Sequence, residues 1–217
     1  MIELNDIFFA YDNTQVLKGI NLKVEKGEII SIVGASGAGK TTLLHILGTL
    51  EKPQKGDYLI NNNSVIDLDS NQLAKFRNLE VGFIFQFHNL LAEFTAFENI
   101  CLPGYISKRK RLDVEKRATE LLEILGISDK KNQKPNQLSG GEQQRIAIAR
   151  ALINSPSIIL ADEPSGNLDS KNAENLHELF IKLNKELNQT FIIVTHNKHL
   201  ASMTDRSLEM IDGKFIA

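Results

Sequence analysis

Residues 34–41 read Gly-Ala-Ser-Gly-Ala-Gly-Lys-Thr, the G-x-x-x-x-G-K-[ST] pattern of a phosphate-binding loop. Small residues let consecutive backbone N–H groups close around a phosphate. Lys40 would add a positive charge at the β- and γ-phosphates, and Thr41 would offer an oxygen to Mg²⁺. The motif follows the apolar run Ile29–Val33 and opens a helical pattern over Thr41–Leu50, which is the context that this motif requires. We expect phosphate contacts from Gly34, Ala35, Ser36, Gly37, Ala38, Gly39, Lys40, Thr41 and Thr42.

A second apolar run, Ile158–Ala161, ends in the acidic pair Asp162 and Glu163. At the carboxyl end of a parallel strand, an acidic side chain faces the crevice in which ligands bind. We therefore expect Asp162 to complete a Mg²⁺ shell and Glu163 to polarise a water molecule for attack on a γ-phosphate. The alternative is a solvated strand end without a ligand.

The order of the remaining patterns predicts the fold class. Short apolar runs bounded by glycine suit strands that are buried on both faces, and helical patterns alternate with them in the second half of the chain. Because parallel strands need crossover helices, we expect an α/β fold with a parallel sheet. The strand patterns cover residues 2–10, 22–24, 29–33, 158–161 and 191–194, the helical ones 113–125, 141–154 and 171–187, and a hairpin turns at Asp212–Gly213.

Composition and charge exclude several classes of protein. The 25 basic residues against 27 acidic ones give a net charge of −2, which argues against a nucleic-acid binder. The single cysteine, Cys101, excludes an intramolecular disulfide and a CxxC site. We find no signal peptide and no apolar run near the ~18 residues of a membrane span. We therefore expect a cytosolic protein whose membrane role, if any, depends on a partner.

Residues 138–145 read LSGGEQQR and allow two interpretations. Ser139 and Glu142 have the spacing of a capping box at a helix start. Alternatively, Gly140 and Gly141 at a helix N-terminus make a second anion site. The spacing does not say whether this site and the phosphate-binding loop meet in one molecule or between two.

The octapeptide is the signature of a family, and the whole chain resembles the nucleotide-binding subunits of ABC transporters. The resemblance implies an ATPase with a P-loop NTPase (RecA-like) core and an N-terminal antiparallel β subdomain. It implies one ABC ATPase domain over 1–217, with a helical subdomain inserted at about 88–155. It also implies that ATP and Mg²⁺ are bound, that two subunits form a homodimer around two ATP molecules, and that integral membrane permeases are the partners.

The resemblance assigns roles to three residues that would act within one subunit. Tyr11 would stack on adenine, although by itself it reads as an ordinary half-buried aromatic residue. Gln86 would sense Mg²⁺ and contact the permease. His196 would contact the γ-phosphate, and its place at the end of a buried strand also favours a ligand role. With Glu163 and Lys40, Gln86 and His196 complete the expected catalytic set.

Four further residues would act across the dimer. By the same resemblance, Ser139 and Gly141 would contact the γ-phosphate of ATP bound to the opposite subunit, and Gly140 between them belongs to the same nucleotide-binding set. Asp169, in the sequence GNLD at 166–169, would lie in the loop that crosses the dimer interface. In this arrangement the two subunits face each other head to tail.

Two longer segments, 85–99 and 161–169, are similar to the Lol type of lipoprotein-releasing ATPase. That resemblance implies a subunit at the cytoplasmic face of the bacterial inner membrane. There it would be held by a separate permease, and it would power lipoprotein release while handling the cargo only indirectly. Macrolide-export and cell-division ATPases share the GNLD sequence and stay open as alternatives.

Other classes fit the sequence less well. Soluble ABC ATPases of DNA repair carry a long coiled coil or zinc modules, ABC-type translation factors carry two such domains, and GTPases carry an Asn-Lys-x-Asp motif. This sequence shows none of these features. The basic run 108–111 reads as a solvated loop, with lipid headgroups or a partner as alternatives. The remaining histidines show no metal spacing and receive no role: His45, His88, His177 and His199.

Overall fold

The computed structural model describes residues 1–216, which build two β-sheets and seven α-helices. The smaller sheet is antiparallel and comes from the N-terminal part of the chain, with strand order β2-β1-β4-β5. Its strands are β1 (Ile2–Tyr11), β2 (Thr14–Val24), β4 (Lys55–Ile60) and β5 (Asn63–Ser64). This is the N-terminal antiparallel subdomain that the family resemblance implied.

The larger sheet has strand order β10-β9-β3-β8-β7-β6, and all of its strand pairs are parallel except the β9–β10 hairpin. The predicted α/β fold with a parallel sheet is confirmed, and so is the hairpin turn at Asp212–Gly213. The strands are β3 (Ile29–Val33), β6 (Val81–Phe85), β7 (Ile158–Asp162), β8 (Thr190–Val194), β9 (Arg206–Ile211) and β10 (Lys214–Ile216).

The helices cover this sheet and connect its parallel strands. Two short 3₁₀ turns, Ser128–Lys130 and Pro135–Gln137, precede the fifth helix. No helix within residues 1–216 is long and apolar enough to cross a membrane. The α-helices are α1 (Lys40–Leu47), α2 (Ser70–Glu80), α3 (Ala96–Ile106), α4 (Arg111–Ile124), α5 (Gly140–Leu152), α6 (Ser170–Leu187) and α7 (Lys198–Ser202).

The central strands are buried on both faces, as their unbroken apolar sequences predict. In β7, Ile158 and Leu160 join the core that the sheet shares with α1 and the N-terminal sheet. Ile159 and Ala161, which point to the other face, join the core formed with α3, α4, α5 and α6. Two apolar cores therefore hold the sheet from opposite sides and fix the ends of its strands.

The predicted helix over Thr41–Leu50 is too long. Helix α1 ends at Leu47, and Gly48 is its C-terminal cap. The next residue, Thr49, has a left-handed φ of 57°, which is incompatible with a continued α-helix. Gly48 packs directly against the ring of Phe83, where a Cβ atom would overlap that ring. The chain therefore turns at this point, and the apolar Leu50 lies outside the helix.

Helices α3, α4 and α5 lie between β6 and β7, where the sequence placed an inserted helical subdomain at about residues 88–155. That this segment is a subdomain of a single domain over 1–217 stays a prediction. Residue 217, at the end of that predicted domain, lies outside the described residues.

Candidate nucleotide-binding and catalytic site

A cavity of about 710 Å³ opens beside the carboxyl ends of the parallel strands. Its volume lies in the range of small-molecule sites, and its position is the one expected for a ligand in an open α/β sheet. Most of the residues predicted to bind phosphate or to act in catalysis line this one cavity. The lining residues are Val16, Gly34, Ala35, Ser36, Gly37, Gly39, Lys40, Thr41, Thr42, Gln86, Asp162, Glu163, Val194 and His196.

The phosphate-binding loop joins β3 to α1. Gly39 precedes α1 with a left-handed φ of 103°. Because glycine has no side chain, it makes no capping hydrogen bond to the helix. The first turn of α1 has no acidic residue, so its backbone N–H groups are available to an anion. Lys40 Nζ donates to the carbonyl oxygens of Gly34 at 2.8 Å and Ala35 at 2.9 Å. The loop is therefore closed around its own lysine, which keeps the ammonium group at the cavity wall.

Asp162 ends β7 and is partly buried in the cavity wall. Burial is the main cause that raises the pKa of its carboxyl group, and the neighbouring Glu163 adds to the effect. A hydrogen bond from Thr41 opposes it. The charged carboxylate is thus partly desolvated and would be stabilised by a nearby cation.

The oxygens of Thr41 and Asp162 are the kind of ligand that Mg²⁺ prefers, and Mg²⁺ sites in such proteins use few carboxylates together with substrate phosphates. Within residues 1–216 no three His, Cys, Asp or Glu side chains form a metal cluster. The oxygens of Thr41 and Asp162, which line the cavity, fit a magnesium ion that takes further ligands from nucleotide phosphates and water.

Glu163 and His196 form a pair at the edge of the cavity. His196 Nδ1 lies 2.9 Å from Glu163 Oε2, which also accepts from the backbone N–H of His196 at 3.3 Å and from Thr195 Oγ1 at 3.4 Å. The imidazole is 75% exposed, and the carboxylate side chain is 21% exposed. A carboxylate oriented by a histidine in this way can take a proton from an adjacent water molecule.

The turn after Glu163 connects the cavity to Gln86. Gln86 Nε2 donates to Asn167 Oδ1, Asn167 Nδ2 donates back to the carbonyl oxygen of Gln86, and both distances are 3.1 Å. Gly166 lies so close to Gln86 that a Cβ atom there would be 2.8 Å from Nε2. The end of β6 is thereby tied to the segment that leads to Asp169.

The LSGGEQQR sequence forms the start of α5 and contains a complete capping box. Ser139 N and Oγ donate to Glu142 Oε2 at 2.7 and 2.9 Å, and Glu142 N donates to Ser139 Oγ. Lys130 Nζ lies 3.2 Å from the other oxygen of Glu142. The predicted capping box at Ser139 and Glu142 is confirmed. Ser139 and Gly140 are exposed and lie outside the cavity.

Several predicted site residues do not join the cavity of their own chain. Tyr11 is 44% exposed and packs edge-on against Phe9, with the ring centroids 4.8 Å apart. Asp169 caps α6 by accepting from Asn172 N at 2.9 Å, which lowers the pKa of its carboxyl group. Outside the lining of this cavity lie Tyr11, Ala38, Ser139, Gly140, Gly141 and Asp169.

The contacts of three residues at or near the site were not found from the sequence. Val16 on β2 adds an apolar side chain to the cavity wall. His88 Nε2 lies 2.8 Å from the carbonyl oxygen of Gly140, and Arg150 donates to the carbonyl oxygens of His88 and Asn89. Helix α5 is thus bonded near both ends to the segment that follows Gln86. No local sequence pattern predicts these contacts, because they depend on the tertiary fold.

Comparison with known proteins gives relatives along the whole chain. The family model described as ABC transporter matches residues 17–166. The lipoprotein-releasing system ATP-binding protein LolD of Cytophaga hutchinsonii is 55% identical over 216 residues, covering 100% of this chain and 99% of that protein. The protein of the same name from Bacteroides thetaiotaomicron is 53% identical over 213 residues, covering 98% of each chain.

Solved structures share both the fold and much of the sequence. The dimeric structure of the ABC transporter cassette MJ0796 superimposes with a TM-score of 0.90 at 43% identity, covering 100% of this chain and 97% of that one. A second dimeric structure of MJ0796, bound to ADP and Pi after hydrolysis, gives a TM-score of 0.88 at 41% identity with the same coverage. The chain belongs to the ABC transporter family, as a cassette that binds and hydrolyses ATP.

Proposed function

We propose that the chain is the ATP-hydrolysing subunit that powers release of lipoproteins from the bacterial inner membrane, at whose cytoplasmic face a separate permease holds it. The observation that carries this proposal is the end-to-end similarity to LolD proteins of lipoprotein-releasing systems. The cavity at the phosphate-binding loop supports the ATPase part of the proposal, because it places Lys40, Glu163 and His196 together.

ATP binding is assigned to the loop and the start of α1. The triphosphate would accept hydrogen bonds from the backbone N–H groups there and from Lys40, which exchanges its two carbonyl partners for phosphate oxygens. Thr41, Gln86 and Asp162 would hold Mg²⁺, whose charge, when it is bound, offsets that of the phosphates. Tyr11 would pack on adenine from the edge of β1.

Hydrolysis is assigned to the residues at the edge of the cavity. Glu163 accepts a proton from the attacking water molecule, and His196 orients the carboxylate through the 2.9 Å contact. Lys40 and His196 stabilise the negative charge on the γ-phosphoryl group in the transition state. The products are ADP and phosphate, as in the MJ0796 structure that contains them.

A homodimer is proposed because some of the residues expected to contact ATP are absent from the cavity of a single chain. Ser139, Gly140, Gly141 and Asp169 lie outside it, and MJ0796 was solved as a dimer. In the proposed dimer, each exposed α5 N-terminus faces the γ-phosphate bound by the partner subunit. ATP would then favour the closed pair, because it binds that state with more contacts.

The permease is proposed to dock beside the segment after Gln86. Phe87 is 70% exposed and Leu91 is 41% exposed, an arrangement typical of a surface that a partner covers. A groove of about 430 Å³ nearby is lined in part by Phe83, Phe85 and Ile106. Because α5 is bonded to the same segment through His88 and Arg150, closure of the dimer would be transmitted to the permease there.

A pull-down tests the transport assignment. Tagged Glu163→Gln protein, with ATP, would be captured from detergent-solubilised membranes of its host and analysed by mass spectrometry, with the Lys40→Ala variant as the ATP-free control. We expect permeases with few helices and large extracytoplasmic domains, together with lipoproteins. Recovery of a drug-efflux or cell-division permease would leave the ATPase assignment unchanged and would change the proposed cargo. Recovery of only soluble proteins would contradict the transporter assignment.

Ser139→Arg tests the dimer. The bulky cation at the exposed α5 N-terminus would block the opposing subunit but leave the cavity of its own chain intact, so we expect normal ATP affinity. ATP-dependent dimerisation should be lost, and turnover should fall by a factor of about 10² or more, since the γ-phosphate loses its second set of donors. Light scattering and phosphate release measure the two effects. Ser128→Arg, at another exposed serine, is the control, and wild-type turnover in Ser139→Arg would exclude the shared site.

A further inference from the structure

His177 is a buried histidine that neither the cavity nor the core explains. It lies on the inner face of α6 with 1% of its surface exposed. Its Nε2 atom is 3.1 Å from Ser165 Oγ, and its Nδ1 atom has no hydrogen-bond partner within residues 1–216. A buried polar atom without a partner destabilises the fold, and an apolar side chain of similar size would avoid that cost. Packing alone therefore does not account for a histidine here.

The contact of His177 is with the turn that follows Glu163. Glu163 has a left-handed φ of 44°, a conformation that a residue with a side chain keeps only where its surroundings hold it. The turn is closed by a hydrogen bond from Gly166 N to the Glu163 carbonyl oxygen at 3.0 Å. The position of the Glu163 carboxylate thus depends on what fixes this turn.

Two buried side chains from different helices fix it. Gln144 on α5 donates from Nε2 to the carbonyl oxygen of Pro164 at 2.9 Å. His177 on α6 holds the next residue through the Ser165 hydroxyl. Each of these two side chains also has one buried atom without a partner, Gln144 Oε1 and His177 Nδ1. Both side chains lie beside the turn despite that cost, which points to a role in holding it.

We propose that His177 is a positioning residue that, through Ser165, fixes the turn after Glu163 and so keeps the Glu163 carboxylate in place beside His196. His177 does not line the cavity, so it acts on hydrolysis without contacting ATP. The inference rests on the proposed ATPase mechanism and names a residue that supports its catalytic carboxylate.

The imidazole performs this task in its neutral form. Burial, and then the charge of His199 6.1 Å away between ring centroids, lower the pKa of His177, while Glu174 raises it less. A neutral side chain of matching reach should therefore replace it. Glutamine fits this requirement, because its terminal amide atoms reach about as far as Nε2 and can donate to or accept from a hydroxyl group.

Three variants separate positioning from packing. For His177→Leu we expect kcat for ATP hydrolysis to fall about tenfold, because one hydrogen bond is lost and the base is displaced. The KM for ATP and the Tm of the variant should not be lowered. His177→Gln should restore kcat to within about twofold of the wild type. His199→Leu, which removes the neighbouring exposed ring but no contact to Ser165, should behave as the wild type.

A double-mutant cycle with Ser165→Ala completes the test. If the pair acts as one unit, the double variant His177→Leu/Ser165→Ala should lose no more activity than either single variant. Additive losses, an unchanged kcat in His177→Leu, or a failure of His177→Gln to restore kcat would each overturn the proposal. A fall in kcat that only parallels a lower Tm would overturn it as well. The wild type is the reference, since failure of its ATP hydrolysis would reject the proposed function instead.

Discussion

Glu163→Gln is expected to bind ATP with near-normal affinity and to hydrolyse it slower by a factor of about 10²–10³, the contribution typical of a general base. The amide keeps the shape of the carboxylate and can still accept from His196 and Thr195, so the geometry around the 2.9 Å contact should persist. What disappears is the negative oxygen that takes a proton from water. Phosphate release under saturating ATP measures the effect.

The same variant should accumulate as an ATP-bound dimer. Hydrolysis is the step that reopens the proposed closed pair, and its loss leaves ATP to hold the two subunits together. Size-exclusion chromatography with light scattering, with and without ATP, reports this state. Glu178→Gln, at an exposed position on α6, is the matched control and should turn over normally. Near-normal turnover in Glu163→Gln would remove Glu163 as the base.

Lys40→Ala is expected to weaken ATP binding by a factor of about 10² or more, the equivalent of one to two hydrogen bonds to a charged group. The ammonium group lies at the cavity wall and is held by the backbone carbonyl oxygens of two residues that line the cavity, and these oxygens can bond to water once the lysine is gone. The fold should therefore survive the substitution, and the loss should be confined to phosphate contacts.

Isothermal titration with ATP, together with thermal unfolding without nucleotide, separates the two effects in Lys40→Ala. Lys182→Ala removes an exposed lysine whose contact to Glu186 is 3.9 Å long, and it should change neither measurement. Unchanged ATP affinity in Lys40→Ala would contradict the assignment of the loop. A lower Tm without loss of affinity would instead assign Lys40 to loop closure.

The strand ends that line the cavity could be predicted from the sequence because each is a local pattern. The loop at 34–41 and the pair Asp162–Glu163 both follow short apolar runs, and the parallel sheet brings such runs together at one edge. The helices and strands that were not predicted lack a clear sequence pattern. Helix α2 has no fully buried residue and only partly buried apolar side chains, although Asp69 and Gln72 form a capping box at its start.

The remaining site residues could not be placed from the sequence for two physical reasons. Tyr11 and Ser139 lie outside the cavity of their own chain, so periodicity within one chain gives no information on what they face. His177 meets Ser165 only because α6 folds back along the sheet. Helix α3 illustrates a third difficulty, since it contains Pro103 and proline ordinarily ends or kinks a helix.

The hairpin of β9 and β10 has a consequence for the order of events during synthesis. Its turn donates from Gly213 N to the carbonyl oxygen of Ala38 at 3.0 Å, and β3, which carries the phosphate-binding loop, pairs with β8 and β9. The loop is translated early but finds these neighbours only when residues 190–213 have left the ribosome, roughly ten seconds or more later at about 5–20 residues per second. Nucleotide can therefore assist folding of the cassette only after translation has passed that point.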